Sequence, residues 1–432
     1  MRAYSERSRD ELLKIREKLE QEYQQSKTQG LALNMSRGNP AELQLDLSMG
    51  MLDVLNSQTA LRSEDGVDCR NYGGLDGIPE ARQLIADMLE INSNNVIARG
   101  NSSLNLMYDS ISKSMTHGVN GTLPWCKLGE IKFLCPAPGY DRHFSIMEHF
   151  GIEMITIPMT QEGPDMDMVE HLVKKDASIK GIWCVPKYSN PQGITYSDAT
   201  VRRFANLSPA AKDFRIYWDN AYVEHHLYEN QRDELLNIMD ECKNTGKEDM
   251  VYIFCSTSKI SFAGSGIAAL ATSEKNIKDI LGYLTVQTIG PDKINQLRHV
   301  KFFKGIQGLR KHMCKHADIL RPKFELVLKI FNQELSGLDI GVWNNPKGGY
   351  FIAFDTLDGC AKAVVEKAKD AGLIMTNAGA TYPYSHDPKD SNLRLAPSYP
   401  NLTELAAAVN VFVLCVKIVS IEKILADKEK AV

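Results

Sequence analysis

The chain has 432 residues, 43% hydrophobic and 24% charged, with a formal net charge of −4. Such a composition buries a core large enough for two domains and describes a soluble globular protein. No segment gathers lysine and arginine into a basic face or arm, which argues against nucleic acid as a partner. Nine cysteines, scattered from Cys69 to Cys415 without C-x-x-C pairs, argue against a disulfide framework or zinc knuckle and read as reduced core thiols. The first ten residues lack the apolar centre of a signal peptide, and no later run is read as approaching a membrane span. A cytoplasmic location without membrane contact is the expectation.

Ser8-x-x-Glu11 has the form of a capping box, and Leu12, Ile15, Leu19 and Tyr23 repeat at helical spacing until Gly30. An amphipathic opening helix follows, then a turn-rich stretch, Asn34-Met-Ser-Arg-Gly-Asn-Pro40, whose Gly38 suggests backbone lying close to something. The glycine-rich segment Arg70–Gly77 carries Tyr72 on a loop and leads to Pro79 at a helix start. Gly100-Asn-Ser-Ser-Leu104 opens a second helix, with Leu104, Met107, Ile111 and Met115 inward and Gly118 at its end. Its first turn offers Ser102 and Ser103 beside unpaired N–H groups. Such a terminus binds phosphate well, although serine capping with nothing bound is commoner.

Short apolar runs then alternate with helical patterns: Ile131–Cys135, Ile152–Pro158, Met168–Lys175 as helix, Ile179–Val185, Val201–Ala205 as helix, Phe214–Trp218 and Val251–Phe254. This is the rhythm of an α/β domain built on a mostly parallel sheet with helices on both faces, a three-layer arrangement. All but one of the strands lead into polar or aromatic loops, and the carboxyl edge of such a sheet is where ligands bind.

After about residue 290 the pattern changes to long helical stretches, Ile294–Lys304 and Leu320–Gln333. Gly348–Phe354 then alternates like a half-buried antiparallel strand, and a helix over Leu402–Leu425 ends the chain. These predict a smaller α+β domain. The division expected is 1–50 for an N-terminal helix and segment packing with the small domain, without a strand of its own, 51–305 for the large domain and 306–432 for the small one.

Ser256-Thr-Ser-Lys259 follows the strand Val251–Cys255 and precedes Ser261-Phe-Ala-Gly-Ser-Gly266, a layout that pushes one amine out at a strand's end. Partial desolvation there frees a lysine to attack a carbonyl, the start of Schiff-base chemistry. Alone, a strand-end lysine more often snorkels to water. Asp219 ends the run Phe214–Trp218 and should reach the same sheet edge, though alone it would be a turn residue. Asn190 in Tyr188-x-Asn-Pro-Gln-Gly193, Tyr222, and Arg394 in Asn392-Leu-Arg-Leu-Ala-Pro397 each have equally ordinary readings. Together, in this order, they have few.

From about Gly38 to Arg394 the sequence resembles the fold-type I pyridoxal-phosphate aminotransferases. It is most similar to a bacterial branch of aspartate aminotransferases, through Ser36-Arg-Gly-Asn-Pro40, Gly100–Met107, Pro138-Gly-Tyr-Asp-Arg-His143 and Ser256-Thr-Ser-Lys259. The resemblance implies pyridoxal 5'-phosphate as cofactor and a homodimer acting on amino acids and 2-oxo acids. It implies that Lys259 holds the cofactor and shuttles a proton, and that Asp219 keeps the pyridine nitrogen protonated. Asn190 and Tyr222 would donate to the ring's phenolic oxygen, Tyr140 would cover one ring face, and His143 would brace Asp219 from behind. Ser102, Ser103, Ser256 and Tyr72 from a neighbouring subunit would hold the phosphate. Gly38, Asn190 and Arg394 would form the substrate site, with Arg394 clamping the α-carboxylate through a bidentate fork.

Two departures from the family pattern stand out. Relatives place an arginine seven or eight residues beyond the lysine to grip phosphate; here those positions are Gly266 and Ile267, and no cation follows until Lys275. Arg37, Arg142 and Arg298 are all candidates for reading a substrate side-chain carboxylate. An aminotransferase for aromatic or neutral amino acids, or a β-lyase, shares the same constellation. A non-catalytic regulator built on this fold would need a DNA-binding module, for which the fewer than 40 residues before Ser36 leave little room.

Overall fold

The computed structural model describes residues 2–28 and 30–430. The opening helix α1 (Arg9–Thr28) starts at the predicted capping box: the Ser8 N–H donates to Glu11 Oε2 at 2.7 Å and the Glu11 N–H donates to Ser8 Oγ at 3.2 Å. Leu12, Leu19 and Tyr23 form its buried stripe. A two-residue strand, β1 (Leu33–Asn34), and the short helix α2 (Glu42–Asp46) follow. Pro79 starts α3 (Pro79–Leu89), which precedes β2 (Val96–Ala98) and α4 (Ser103–His117). The α/β alternation then runs β3 (Lys132–Ala137), α5 (Asp141–Phe150), β4 (Glu153–Thr160), β5 (Gly163–Pro164), α6 (Met166–Lys175), β6 (Ile179–Cys184), α7 (Asp198–Asn206) and β7 (Arg215–Asp219). After α8 (Ile238–Asn244) come β8 (Val251–Ser256), β9 (Ala268–Ala271), α9 (Glu274–Gln287), α10 (Lys293–Phe303) and α11 (Ile306–Glu334). The last part holds β10 (Gly341–Trp343), β11 (Ile352–Thr356), α12 (Ala361–Asp370), β12 (Leu373–Ile374), β13 (Asn392–Leu395) and α13 (Leu402–Lys430).

Eight strands form one sheet in the order β2-β9-β8-β7-β6-β3-β4-β5. The pairs β8–β7, β7–β6, β6–β3 and β3–β4 are parallel, while β9 and β5 pair antiparallel with their neighbours. The strands alternate between two cores. Leu134, Ile182, Ile216, Ile253 and Cys255 pack on one face; Phe133, Trp183, Tyr217, Tyr252 and Phe254 pack on the other. Period-two alternation with both faces apolar is what a helix-covered parallel sheet requires. Lys180 survives burial in β6 because Asp213 accepts from its Nζ at 2.8 Å and also from Trp125 Nε1 at 2.8 Å.

The smaller sheet is the antiparallel set β10-β11-β13. Four of the five β11 residues are buried, so this strand is more enclosed than its alternating sequence predicts, and Gly348 and Gly349 lie before it rather than in it. A second correction concerns the N-terminal segment, which does have a strand: β1 pairs in parallel with β12, Leu33 beside Leu373. A third concerns α13, which is long and apolar enough to cross a membrane, although no such run is expected from the sequence. It is apolar all round because α1, α11 and α12 surround it, and Leu405, Phe412, Val416 and Ile421 are buried among them.

Candidate functional site

The parallel strands deliver their loops to one edge. Tyr140 follows β3, Asn190 follows β6, Asp219 ends β7, and Ser256 to Lys259 end and follow β8. Asp219, the last residue of β7, pairs with Phe254 two residues before β8 ends, so Asp219 and the lysine turn emerge from neighbouring strands at the same edge.

Asp219 is 3% exposed. Its Oδ2 lies 3.0 Å from His143 Nε2, and its Oδ1 is buried without a partner among the described residues. A buried carboxylate oxygen left unsatisfied is costly, so this one is aimed at a donor the chain itself does not supply. His143 is held flat on Trp183, with ring centroids 4.3 Å apart and planes at 10°, and Tyr140 meets its edge at 5.0 Å. Lys259 Nζ sits 4.9 Å from the Tyr222 ring centroid and 5.7 Å from that of Tyr350. Tyr222 is buried and stacked on Tyr350 at 6.1 Å; burial, with Asp219 next, raises its hydroxyl pKa, so it is a donor at neutral pH. Burial pushes the Tyr140 hydroxyl up to about 12, while the Lys259 charge pulls the other way.

On the lysine's other side, the first turn of α4 faces the β8 end. Ser102 is the N-cap residue but its side chain makes no capping bond, and Ser102 and Ser103 are half-buried. Ser256 Oγ donates to Ser258 Oγ at 3.1 Å, and Ser258 Oγ donates to the Asn101 carbonyl at 2.7 Å. Hydroxyls and free N–H groups at a helix N-terminus form a neutral anion cradle. Of the two positions where relatives carry an arginine, Gly266 has no room for one, since a Cβ there would stand 2.9 Å from the Ser258 backbone nitrogen, and Ile267 is a buried apolar residue. Arg298, from α10, instead reaches this loop and donates to Ser265 Oγ at 2.7 Å; its Nε is buried without a partner among the described residues.

Arg394 comes from β13 and is 7% exposed. Its Nη1 donates to Asp141 Oδ1 at 2.8 Å and to Asn190 Oδ1 at 3.3 Å. Neither Nε nor Nη2 bonds a described residue, so the edge that can grip a carboxylate in two places is left unsatisfied. The guanidinium lies over Phe351, 5.0 Å from its centroid. Phe351 in turn presses on Gly38, where a Cβ would come within 2.4 Å of the ring, so Gly38 lets the 36–40 segment close over the arginine.

Lys259, Asp219, Tyr222, Tyr140, Asn190 and Arg394 therefore gather at one sheet edge, with Ser102, Ser103 and Ser256 on the α4 side and Gly38 on the Phe351 side. Tyr72 does not join them within the chain: it is 78% exposed on its loop. Arg37 and Arg142 are exposed and Arg298 half-buried. Sequence reasoning missed Trp183 under His143, Asp141 on Arg394, and Tyr350 beside Lys259. Asp141 and Tyr350 stand within quoted motifs, but nothing in their spacing says which side chain they touch.

A family model described as Aspartate amino-transferase matches residues 7–428. A Mycolicibacterium smegmatis protein described as an aminotransferase is 44% identical over 97% of this chain and 98% of its own length. An aspartate aminotransferase of Corynebacterium glutamicum is 43% identical over 94% of each. The crystal structure of an aspartate transaminase from Corynebacterium glutamicum superposes with a TM-score of 0.95 at 41% identity, covering 98% of this chain and 99% of that one. With a lysine, an unsatisfied carboxylate and an anion cradle at one sheet edge, the chain belongs to the aspartate aminotransferase family, a bacterial branch of the fold-type I enzymes that move amino groups between amino acids and 2-oxo acids with pyridoxal 5'-phosphate.

Proposed function

We propose that this aminotransferase takes its amino group from L-aspartate and passes it to 2-oxoglutarate, the two half-reactions alternating at one site. The observation that carries this reading is the 43% identity to the Corynebacterium glutamicum aspartate aminotransferase. Bound at this sheet edge, pyridoxal 5'-phosphate supplies a carbonyl for an amine and a ring that takes up the electron pair released at Cα. The donor set fits that group: Asp219 Oδ1 needs a buried N–H, and the α4 terminus with Ser102, Ser103 and Ser256 suits a phosphate.

Lys259 is the nucleophilic amine and, once displaced by substrate, the base that takes the Cα proton and returns it. Asp219 would hold a proton on the ring nitrogen of the bound cofactor, with His143 fixing the carboxylate's orientation. Tyr222 and Asn190 would donate to its ring oxygen, and Tyr140 would cover one face. Arg394 orients the substrate by its α-carboxylate. Gly38 admits the loop that lies over that arginine, and its neighbour Arg37, exposed on that loop, is one candidate for a second carboxylate. We further propose a homodimer, in which Tyr72 completes the phosphate site of a neighbouring subunit. Its exposure supports this, as does exposed Ile289 beside it, whose carbonyl accepts from Gly73 N–H at 3.2 Å. The division at residues 50 and 305 is likewise proposed, with α11 spanning from the large core at Leu309 and Met313 to the small core at Phe324 and Phe331.

The test is a panel of amino donors, each supplied alone while the absorbance of the bound cofactor is followed, with 2-oxoglutarate then added to restore it, repeated with Arg37→Ala. Preference for aspartate and glutamate over alanine and phenylalanine, lost in the variant, is expected. A preference for neutral or aromatic donors refutes the aspartate reading.

A further inference from the structure

Lys293 opens α10 and is only 3% exposed. That is a costly place for an ammonium, because burial strips its water and the N-terminal end of a helix already carries partial positive charge. The neighbouring Asp292 carboxylate is turned away, accepting from the Asn295 N–H at 2.9 Å. Instead, the described partners of Lys293 Nζ are the carbonyls of Asn71 and Gly73, which accept from it at 2.8 and 2.7 Å. These two carbonyls lie on either side of Tyr72.

The stretch around Tyr72 has little else to hold it. Residues 71–77 form no helix or strand, and Gly73 and Gly74 take left-handed backbone with φ of 94° and 71°, so the chain there is intrinsically loose. The Tyr72 side chain is 78% exposed and its direction follows from its backbone. The segment leading into α10 lies flat against this loop: the Gly73 N–H donates to the Ile289 carbonyl at 3.2 Å, and a Cβ on Gly290 would come within 2.4 Å of the Gly73 oxygen. One turn into α10, Gln296 Oε1 accepts from the Ile78 N–H at 2.9 Å and its Nε2 donates to the Ala98 carbonyl at 2.8 Å. Ala98 ends β2, which leads into the first turn of α4, so a single helix ties the Tyr72 loop to the anion cradle of its own chain.

We propose that Lys293 is a positioning residue whose buried ammonium fixes the backbone on both sides of Tyr72 and so presents that tyrosine to the phosphate of the neighbouring subunit's cofactor. The proposal rests on the reading of Tyr72 as a phosphate ligand across the dimer. A tyrosine on an unrestrained glycine loop loses conformational entropy each time it engages a phosphate, whereas one whose flanking peptides are already held loses less. Lys293 thereby lengthens the stay of the cofactor by acting through Tyr72.

The test follows how fast the full-length holoenzyme loses pyridoxal 5'-phosphate during dialysis, read by the absorbance of the bound cofactor, at concentrations where sedimentation finds every variant in the parent's association state. Tyr72→Phe removes the hydroxyl, and Lys293→Met keeps an unbranched stem without the charge. Each should speed release by about fivefold or more, and the double variant should release within about twofold of Tyr72→Phe alone, because the ammonium acts only through the tyrosine. Release at the parental rate in Lys293→Met overturns the proposal and leaves the role of Tyr72 intact. A double variant whose rate multiplies the two single effects also overturns it, since Lys293 then acts independently of Tyr72. A parental rate in Tyr72→Phe overturns the reading of Tyr72 and the proposal together. Should Lys293→Met not fold, Gly290→Ala, which presses the Gly73 carbonyl off the ammonium, takes its place in the same cycle and the same outcomes decide.

Discussion

Replacing Arg394 with lysine keeps the charge and removes the fork. In the native arrangement Nη1 is already spent on Asp141 at 2.8 Å and Asn190 at 3.3 Å, and the Nε–Nη2 edge is left unsatisfied. A lysine has a single nitrogen at the end of its stem, so an ammonium that stays with Asp141 leaves the substrate carboxylate with at most one weakened contact. One lost charged hydrogen bond corresponds to about 1.5–3 kcal/mol, or roughly 10- to 150-fold in kcat/KM. Because every amino acid carries an α-carboxylate, Arg394→Lys should penalise aspartate, alanine and phenylalanine by the same factor. Half-reaction kinetics with each donor alone, following the absorbance of the bound cofactor, isolate this from the second substrate. A loss under about threefold, or one confined to dicarboxylates, refutes the assignment and makes Arg394 a side-chain reader or a structural residue.

Asp219→Ala should abolish most transamination while the circular dichroism spectrum stays native, because His143 remains packed on Trp183; near-parental turnover would contradict its role at the ring nitrogen. Acid should destabilise the fold before most carboxylates titrate. His316 and His299 are held by burial at about 3 and about 4, below the 6.5 of the unfolded chain. A depressed histidine binds fewer protons when folded, so its contribution is complete above pH 6.5 and is lost as pH falls towards 3 to 4. Each should cost about 1.6 kcal/mol between pH 6.5 and 5, read by urea unfolding at the two pH values; equal stabilities would show that the two rings are not buried neutral. Sedimentation should find a dimer, and an active, cofactor-loaded monomer would remove Tyr72 from the phosphate site.

Alternation of short apolar runs with helical periods is a local property, and it determined the α/β class and the strands whose ends carry Tyr140, Asn190, Asp219 and Lys259. The order of those residues along the chain then sufficed to name the family, since strand-end positions in a parallel sheet all reach one edge. Other features are decided only by what packs against what. The stretch from Leu405 to Ile421 is almost entirely apolar, and composition cannot separate a core helix from a membrane span; α1, α11 and α12 around it make it a core helix. Leu33–Asn34 is too short to signal a strand and becomes one because Leu373–Ile374 lies alongside. The absent phosphate arginine is legible as Gly266-Ile267, but the closeness of the Ser258 backbone to the glycine is a contact across eight residues of loop. Gln44, His312 and His316 read as ordinary helix residues. They form one buried chain of polar groups because α2 and α11 pack together, and the pairing of Gln44 with His316 and Tyr350, and of His316 with His312, depends on distances of about 3 Å that no sequence spacing encodes.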